Sequence, residues 1–204
     1  VRLARAALWL LLAVLAGAAP AAPGATVLVL GDSLSAGYGL ARGEGWVELL
    51  AERLAARHPG VAVVNASISG ETSAGGAERI EALLARHRPQ VVVVELGGND
   101  GLRGLALTAT RTNLERIVAA AQGAGARVLL LGMRLPPNYG PRYSEGFARI
   151  YPEIAAARGA ALVPFFLAGV GEDLAQMQPD GIHPRAAAQL RLLDNVWPYL
   201  EALL

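Results

Sequence analysis

Cysteine is absent from the 204 residues, which excludes disulfides, thiolate metal sites and lipid attachment through an N-terminal cysteine. Lysine is absent too. All 18 basic residues are arginine, and with alanine so abundant this reads as coding bias rather than as a set of phosphate contacts. The formal charge of +1 gives no reason to expect a nucleic-acid partner or an anionic membrane surface. No Gly-Lys-Ser/Thr follows a strand-like run. Gly37 and Gly39 do not continue into a third phosphate-loop glycine, because position 42 is Arg42; Gly37-Tyr38-Gly39 is turn sequence. Histidine occurs only three times, so a general base has few candidates.

Long apolar runs are also missing, although 53% of the residues are hydrophobic. Much of the excess lies in Val1–Ala22: two arginines, an apolar run from Ala6 to Ala16, then small residues ending Ala-Pro-Ala-Ala. That is the tripartite pattern of a secretory signal peptide, with cleavage expected near Ala19 to Ala22. The run is short of the ~20 residues a spanning helix needs, so no stable membrane insertion is expected after cleavage. The expected organisation is a signal peptide over 1–22, a linker over 23–25 and one domain over 26–204, a size that buries a continuous core. Loss of Arg2 and Arg5 leaves 16 basic against 17 acidic residues, a change from +1 to −1. A periplasmic or secreted bacterial protein, working as a monomer, is the expectation.

After the linker, short aliphatic runs alternate with amphipathic stretches. The runs Thr26–Leu30, Val61–Asn65, Val91–Leu96, Arg127–Gly132 and Ala161–Phe165 read as strands buried on both faces. Between them, apolar residues recur at helical spacing: Trp46, Val47, Leu49, Leu50 and Leu54; Ile80, Leu83 and Leu84; Leu114, Ile117, Val118 and Ala121; Phe147, Ile150, Tyr151 and Ile154. Pro152 is expected to kink or split the fourth helix, and a last helix is expected from about Arg185 to Leu203. Strand then helix, repeated with right-handed crossovers, predicts a doubly wound α/β sandwich with a parallel sheet. In such sheets ligands bind at the carboxyl ends of the strands, so chemistry is sought in the residues that follow each run.

The first run leads into Gly31-Asp32-Ser33, the second into Asn65 to Thr72, the third into Gly97-Gly98-Asn99-Asp100. Alone, Gly-Asp-Ser is a common turn and its Asp or Ser a common helix cap. A serine lifted out of a sheet edge is also a nucleophile, and an unobstructed glycine N–H or an asparagine amide is what an oxyanion needs. His58 and His87 stand at expected helix ends, where a histidine meets the dipole favourably. His183 differs. It lies in Asp180-Gly181-Ile182-His183-Pro184, where Pro184 suits the first helical position and Asp180 is close enough in sequence to hold the imidazole tautomer for Ser33. A metal-ligand reading of Asp180 and His183 lacks a third strong ligand, so no metal is expected.

With Ser33, Gly70, Asn99 and His183 in order, each in its own block, the chain resembles the GDSL/SGNH hydrolase superfamily over essentially all of Val27 to Leu204. Met133–Gly140, Ile150-Tyr151-Pro152 and Val163–Phe166 look like its bacterial periplasmic subgroup of acyl-CoA thioesterase I, lysophospholipase L1 and arylesterase. The resemblance implies a flavodoxin-like three-layer α/β/α sandwich with five parallel strands in the order 2-1-3-4-5. It implies ester and thioester hydrolysis with no cofactor, on small-molecule acyl substrates. Ser33, Asp180 and His183 would be the catalytic triad; Ser33, Gly70 and Asn99 would form the oxyanion hole. The resemblance further implies a mobile loop at Gly101–Leu105 near an acyl pocket, whose depth depends on the packing of Ile68, Leu102, Pro136 and Tyr139. A carbohydrate O-deacetylase on the same scaffold and a non-catalytic extracytoplasmic binding module are the alternatives, because fold and triad do not set the acyl group.

Overall fold

A computed structural model describes residues 24–204. The expected signal peptide and the first linker residue lie outside the described residues. In chain order the elements are β1 (Thr26–Gly31), α1 (Ser33–Ala36), α2 (Trp46–Arg57), β2 (Ala62–Asn65), α3 (Ser73–His87), β3 (Val91–Glu95), α4 (Gly98–Leu102), α5 (Leu107–Gly123), β4 (Arg127–Leu131), α6 (Pro141–Arg158), β5 (Ala161–Val163) and α7 (Gln189–Glu201). The strands form one parallel sheet ordered β2-β1-β3-β4-β5. Helices α2 and α7 pack together on one face, and α3, α5 and α6 in a row on the other.

Burial explains the composition of the strands. β1 and β3 are covered by helices on both faces, and Val27–Leu30 and Val91–Val94 are buried without alternation. β2 is an edge strand, and its outer residues Ala62 and Asn65 are exposed. The helical stripes are the expected ones: Trp46, Val47, Leu50 and Leu54 of α2 are buried, as are Leu114, Ile117, Val118 and Ala121 of α5.

Beyond one-residue shifts at the other strand ends, three features differ from expectation. β5 stops at Val163 rather than Phe165, because Pro164 has no N–H for the ladder, although Phe166 resumes one bond to Gly132 O. Gly132 is required there: a Cβ on it would lie 2.6 Å from Pro164 O. Pro152 does not split its helix; α6 runs unbroken from Pro141 to Arg158, held down by buried Phe147, Ile150, Tyr151 and Ile154 on either side of the missing donor. The last helix begins later than Arg185. Pro184 is bridged to Met177 instead of opening the helix, a 3-10 turn covers Ala186–Ala188, and α7 starts at Gln189.

The order 2-1-3 makes the chain leave β1 towards one side and return on the other, so the gap between the carboxyl ends of β1 and β3 is the topological switch point. Ser33 follows β1 and Asn99 follows β3 at that gap.

Candidate active site

Asp32 caps α1: its Oδ1 accepts the Leu34 N–H at 3.0 Å, which fixes the turn that presents Ser33 as the first helical residue. Gly31 precedes it for reasons of space, not of φ. A Cβ at Gly31 would lie 2.7 Å from Ser35 and 2.8 Å from a Glu95 carboxyl oxygen, so any larger residue would push the turn off the strand end.

His183 reaches the same point from 150 residues away along the chain. Asp180 Oδ1 accepts the backbone N–H groups of Ile182 and His183 at 2.9 and 3.0 Å, and its Oδ2 accepts Nδ1–H of His183 at 2.7 Å. That leaves Nε2 free to accept the Ser33 hydroxyl proton at 2.8 Å. The His183 backbone N–H, with the imidazole and the Ile182 N–H adding to it, holds the Asp180 carboxyl down at about 2 although it is largely solvent-exposed. Its negative charge is therefore present throughout the neutral range to orient the ring.

The loop carrying His183 is fastened from below. His183 O accepts the Gln178 N–H at 2.7 Å, and the Gln178 side chain donates to Tyr38 O at 2.9 Å, tying the histidine loop to the serine turn. The Tyr38 ring lies 4.5 Å from the imidazole, tilted by 38°. Gln189, buried at the start of α7, accepts the Trp46 N–H at 3.0 Å and donates to Pro184 O. In sequence Tyr38 has only a turn role and Gln178 and Gln189 have none, because a lone aromatic or glutamine in a loop carries no spacing signal.

Gly70 has a left-handed φ of +81°, open only to residues without a Cβ clash, and its N–H donates to no group among the described residues. Its carbonyl accepts from the Arg103 guanidinium at 3.1 Å, so Gly70 is anchored from the side opposite its free N–H. Both amide protons of Asn99 are engaged, one by Asp32 Oδ2 and one by Glu71 O, each at 3.0 Å. Asp100, buried beside it, accepts the Ser73 N–H at 2.8 Å and so fixes the start of α3 against α4.

A groove of about 460 Å³ opens beside the Ser33–His183 pair. Leu34 and Ile182, the sequence neighbours of those two residues, form its near wall; Met133, Leu135, Phe165, Leu167 and Leu174 carry it away from the serine. Leu102 and Pro136 also line it. Ile68 and Tyr139 do not: Ile68 is exposed, and Tyr139 lines a separate cleft with Tyr143 while donating its hydroxyl to Leu102 O at 2.9 Å. The segment expected as a loop, Gly101–Leu105, begins inside α4 and is held by that bond and by Tyr143 OH to Leu105 O at 2.7 Å.

The profile of the "GDSL-like Lipase/Acylhydrolase family" matches residues 29–191. "Esterase TesA" of Pseudomonas aeruginosa is 59% identical over 179 residues, which is 88% of this chain and 89% of the relative. "Thioesterase 1/protease 1/lysophospholipase L1" of Escherichia coli K12 is 45% identical over 183 residues, 90% of this chain and 86% of the relative. A crystal structure of TesA superimposes with a TM-score of 0.86 at 59% identity, covering 88% of this chain and 99% of that one.

Proposed function

The chain belongs to the GDSL-like lipase/acylhydrolase family and is a serine ester hydrolase, and on that premise we propose that it works through an acyl-enzyme on Ser33. Ser33 Oγ attacks the ester or thioester carbonyl carbon while His183 Nε2 takes the hydroxyl proton; Asp180 orients the ring and stabilises the imidazolium. Collapse of the tetrahedral species breaks the bond to the alcohol or thiol, which leaves with that proton. Water, deprotonated by His183, then releases the acid. The oxyanion is held by the N–H groups of Ser33 and Gly70 and by Asn99, which gives up one of its two resting acceptors to reach it. The scheme needs no metal or organic cofactor.

The observation that carries the substrate reading is the apolar groove adjoining Ser33. Its volume lies within the ~300–1,000 Å³ usual for small-molecule sites, and its aliphatic and aromatic lining suits an acyl chain rather than an acetyl group on a sugar. Medium- and long-chain esters and thioesters are the substrates this supports; the relatives' names give esterase, thioesterase and lysophospholipase activity. The composition of residues 1–22 supports export to the periplasm or beyond, with residues 26–204 acting as a monomer on small-molecule substrates.

The test is intact mass after fluorophosphonate treatment of wild type and Ser33→Ala, run beside hydrolysis of p-nitrophenyl esters from acetate to palmitate. One adduct on wild type and none on Ser33→Ala is expected. Each added CH₂ is expected to raise kcat/KM by up to about fourfold until the groove is filled, since burying one contributes ~0.8 kcal/mol. Acetyl-only activity would transfer the reading to a deacetylase, and a folded wild type without adduct or turnover would leave a binding module.

A further inference from the structure

Beneath the nucleophile turn lies a second carboxyl group that the acyl-transfer scheme does not use. Glu95 is the last residue of β3, in register with Gly31 of β1, and it is fully buried. Its Oε2 accepts the Ser35 hydroxyl at 2.7 Å and the Asp32 backbone N–H at 3.2 Å. Ser35 Oγ in turn accepts the Trp46 indole N–H at 3.2 Å. Among the described residues Oε1 receives no N–H or O–H, so one oxygen of this buried carboxyl group has nothing to stabilise a charge on it. Asp32 is itself 2% exposed, and both its oxygens accept from donors with no proton to return, Leu34 N–H and the Asn99 amide.

We propose that Glu95 is a positioning residue, a buried carboxylic acid that keeps its proton beside Asp32 and fixes the serine turn through the Ser35 hydroxyl and the Asp32 N–H, and with that turn the Asp32 acceptor of the Asn99 amide. The proposal rests on the acyl-enzyme reading above. Two unscreened negative charges in a buried pair repel and are poorly solvated, so the pair keeps one proton between them. Burial first, and the Asp32 charge second, push the Glu95 carboxyl well above the usual carboxylate range. Burial raises Asp32 only to about 6, because Leu34 N–H, the His183 charge and Asn99 favour its ionised form. The proton therefore belongs to Glu95 at neutral pH and the charge to Asp32. His183 from the loop before α7 and Tyr151 from α6 are the other titratable groups that feel the pair, with Asp100 of α4 acting on Tyr151. Gly31 is part of the device, since any Cβ there would collide with the Glu95 carboxyl.

The role separates from a merely structural one by what replaces the acid. Glu95→Gln keeps an acceptor for the Ser35 hydroxyl and the Asp32 N–H and, like the protonated acid, carries no charge. Glu95→Ala leaves the Ser35 hydroxyl and the Asp32 backbone N–H without their acceptor and lets the Asp32 acceptor of Asn99 drift. With a p-nitrophenyl ester, Glu95→Ala is expected to lose ~30–100-fold in kcat at little change in KM, the cost of a misaligned catalytic group, whereas Glu95→Gln stays within about fivefold of wild type. The infrared spectrum of wild type at pH 8 is expected to show the carbonyl stretch of a buried carboxylic acid, missing from Glu95→Gln. Equal losses in the two variants, wild-type turnover in folded Glu95→Ala, or an acid band unchanged in Glu95→Gln would each overturn the proposal. If Glu95→Ala does not fold, Glu95→Gln and its infrared band decide alone. Failure of fluorophosphonate to label Ser33 would defeat the acyl-enzyme reading while leaving the acid band in place, so the two failures are distinct.

Discussion

Two aspartates flank Ser33, and their environments drive them in opposite directions. Asp180 stands near the surface, accepts two backbone N–H groups and the imidazole, and is held at about 2. Asp32 is buried one residue before the serine, accepts two N–H donors as well, and is still pushed up to about 6. The hydrogen bonds are similar in number. What differs is solvent and the neighbour: Asp180 faces a base that becomes cationic, whereas Asp32 lies against another carboxyl. One group is arranged to keep a charge ready, the other to hold a frame in place at the cost of carrying that charge poorly.

The comparison is broken most severely from the Asp180 side. Asp180→Asn is expected to lower kcat by ~10³–10⁴-fold, because an amide can present its N–H to Nδ1 and favour the wrong tautomer, while thermal melting at pH 7 changes little. A loss below tenfold would show that the backbone alone orients His183. On the other side of the serine, Asn99→Ala is expected to cost ~10²–10³-fold in kcat with the fold intact, the usual penalty for one oxyanion donor. Wild-type turnover in that variant would remove Asn99 from the oxyanion hole. Asp32→Asn turns the acceptor of the Asn99 amide into a second donor and is expected to cost ~10–30-fold in kcat.

Stability against pH sharpens the contrast further. The folded-state value of Asp32 is raised from 3.8 to about 6, so its contribution is fully present below pH 3.8 and is lost as pH rises through 6. Melting temperatures of Asp32→Asn should accordingly lack the decline that wild type shows between those limits. For Asp180 the sign reverses. Its value is depressed from 3.8 to about 2, so its contribution is present above 3.8 and is lost as pH falls through 2. That effect is small, because Asp180 is more than a third exposed and solvent screens it. The smallest effect concerns Arg103→Ala, which frees the Gly70 carbonyl and is expected to lower kcat by about threefold without changing the melting temperature, as an exposed hydrogen bond contributes ~1 kcal/mol or less.

Much of this frame was legible along the chain. Val91–Val94 is a strand buried on both faces because four consecutive valines leave no polar face for water, and the alternation of such runs with helical stripes yields the parallel sheet. His183 stood out among three histidines because it follows a strand and has an acid three residues before it, and the fold does bring it to Ser33. Pro152 does not split α6 for a local reason: one missing N–H weakens a helix, but a buried stripe on both sides of it outweighs that loss. How Ile68 and Tyr139 pack is not legible from spacing, and the groove wall is drawn from Leu34, Phe165 and Leu174, which no periodicity connects.

The sequence by itself determined the layer architecture, the strand ends at which chemistry stands and the residue types available there, because these follow from local hydrophobic period and from which side chains can attack, donate or take a proton. Tertiary structure alone decided the contact of Ser33 with His183 across 150 positions, the depth and lining of the groove, and the burial of Glu95 against Asp32 across 63. Distances of that kind are set by how strands order themselves in the sheet and how helices close over them, and burial then decides whether a carboxyl group carries a charge or a proton.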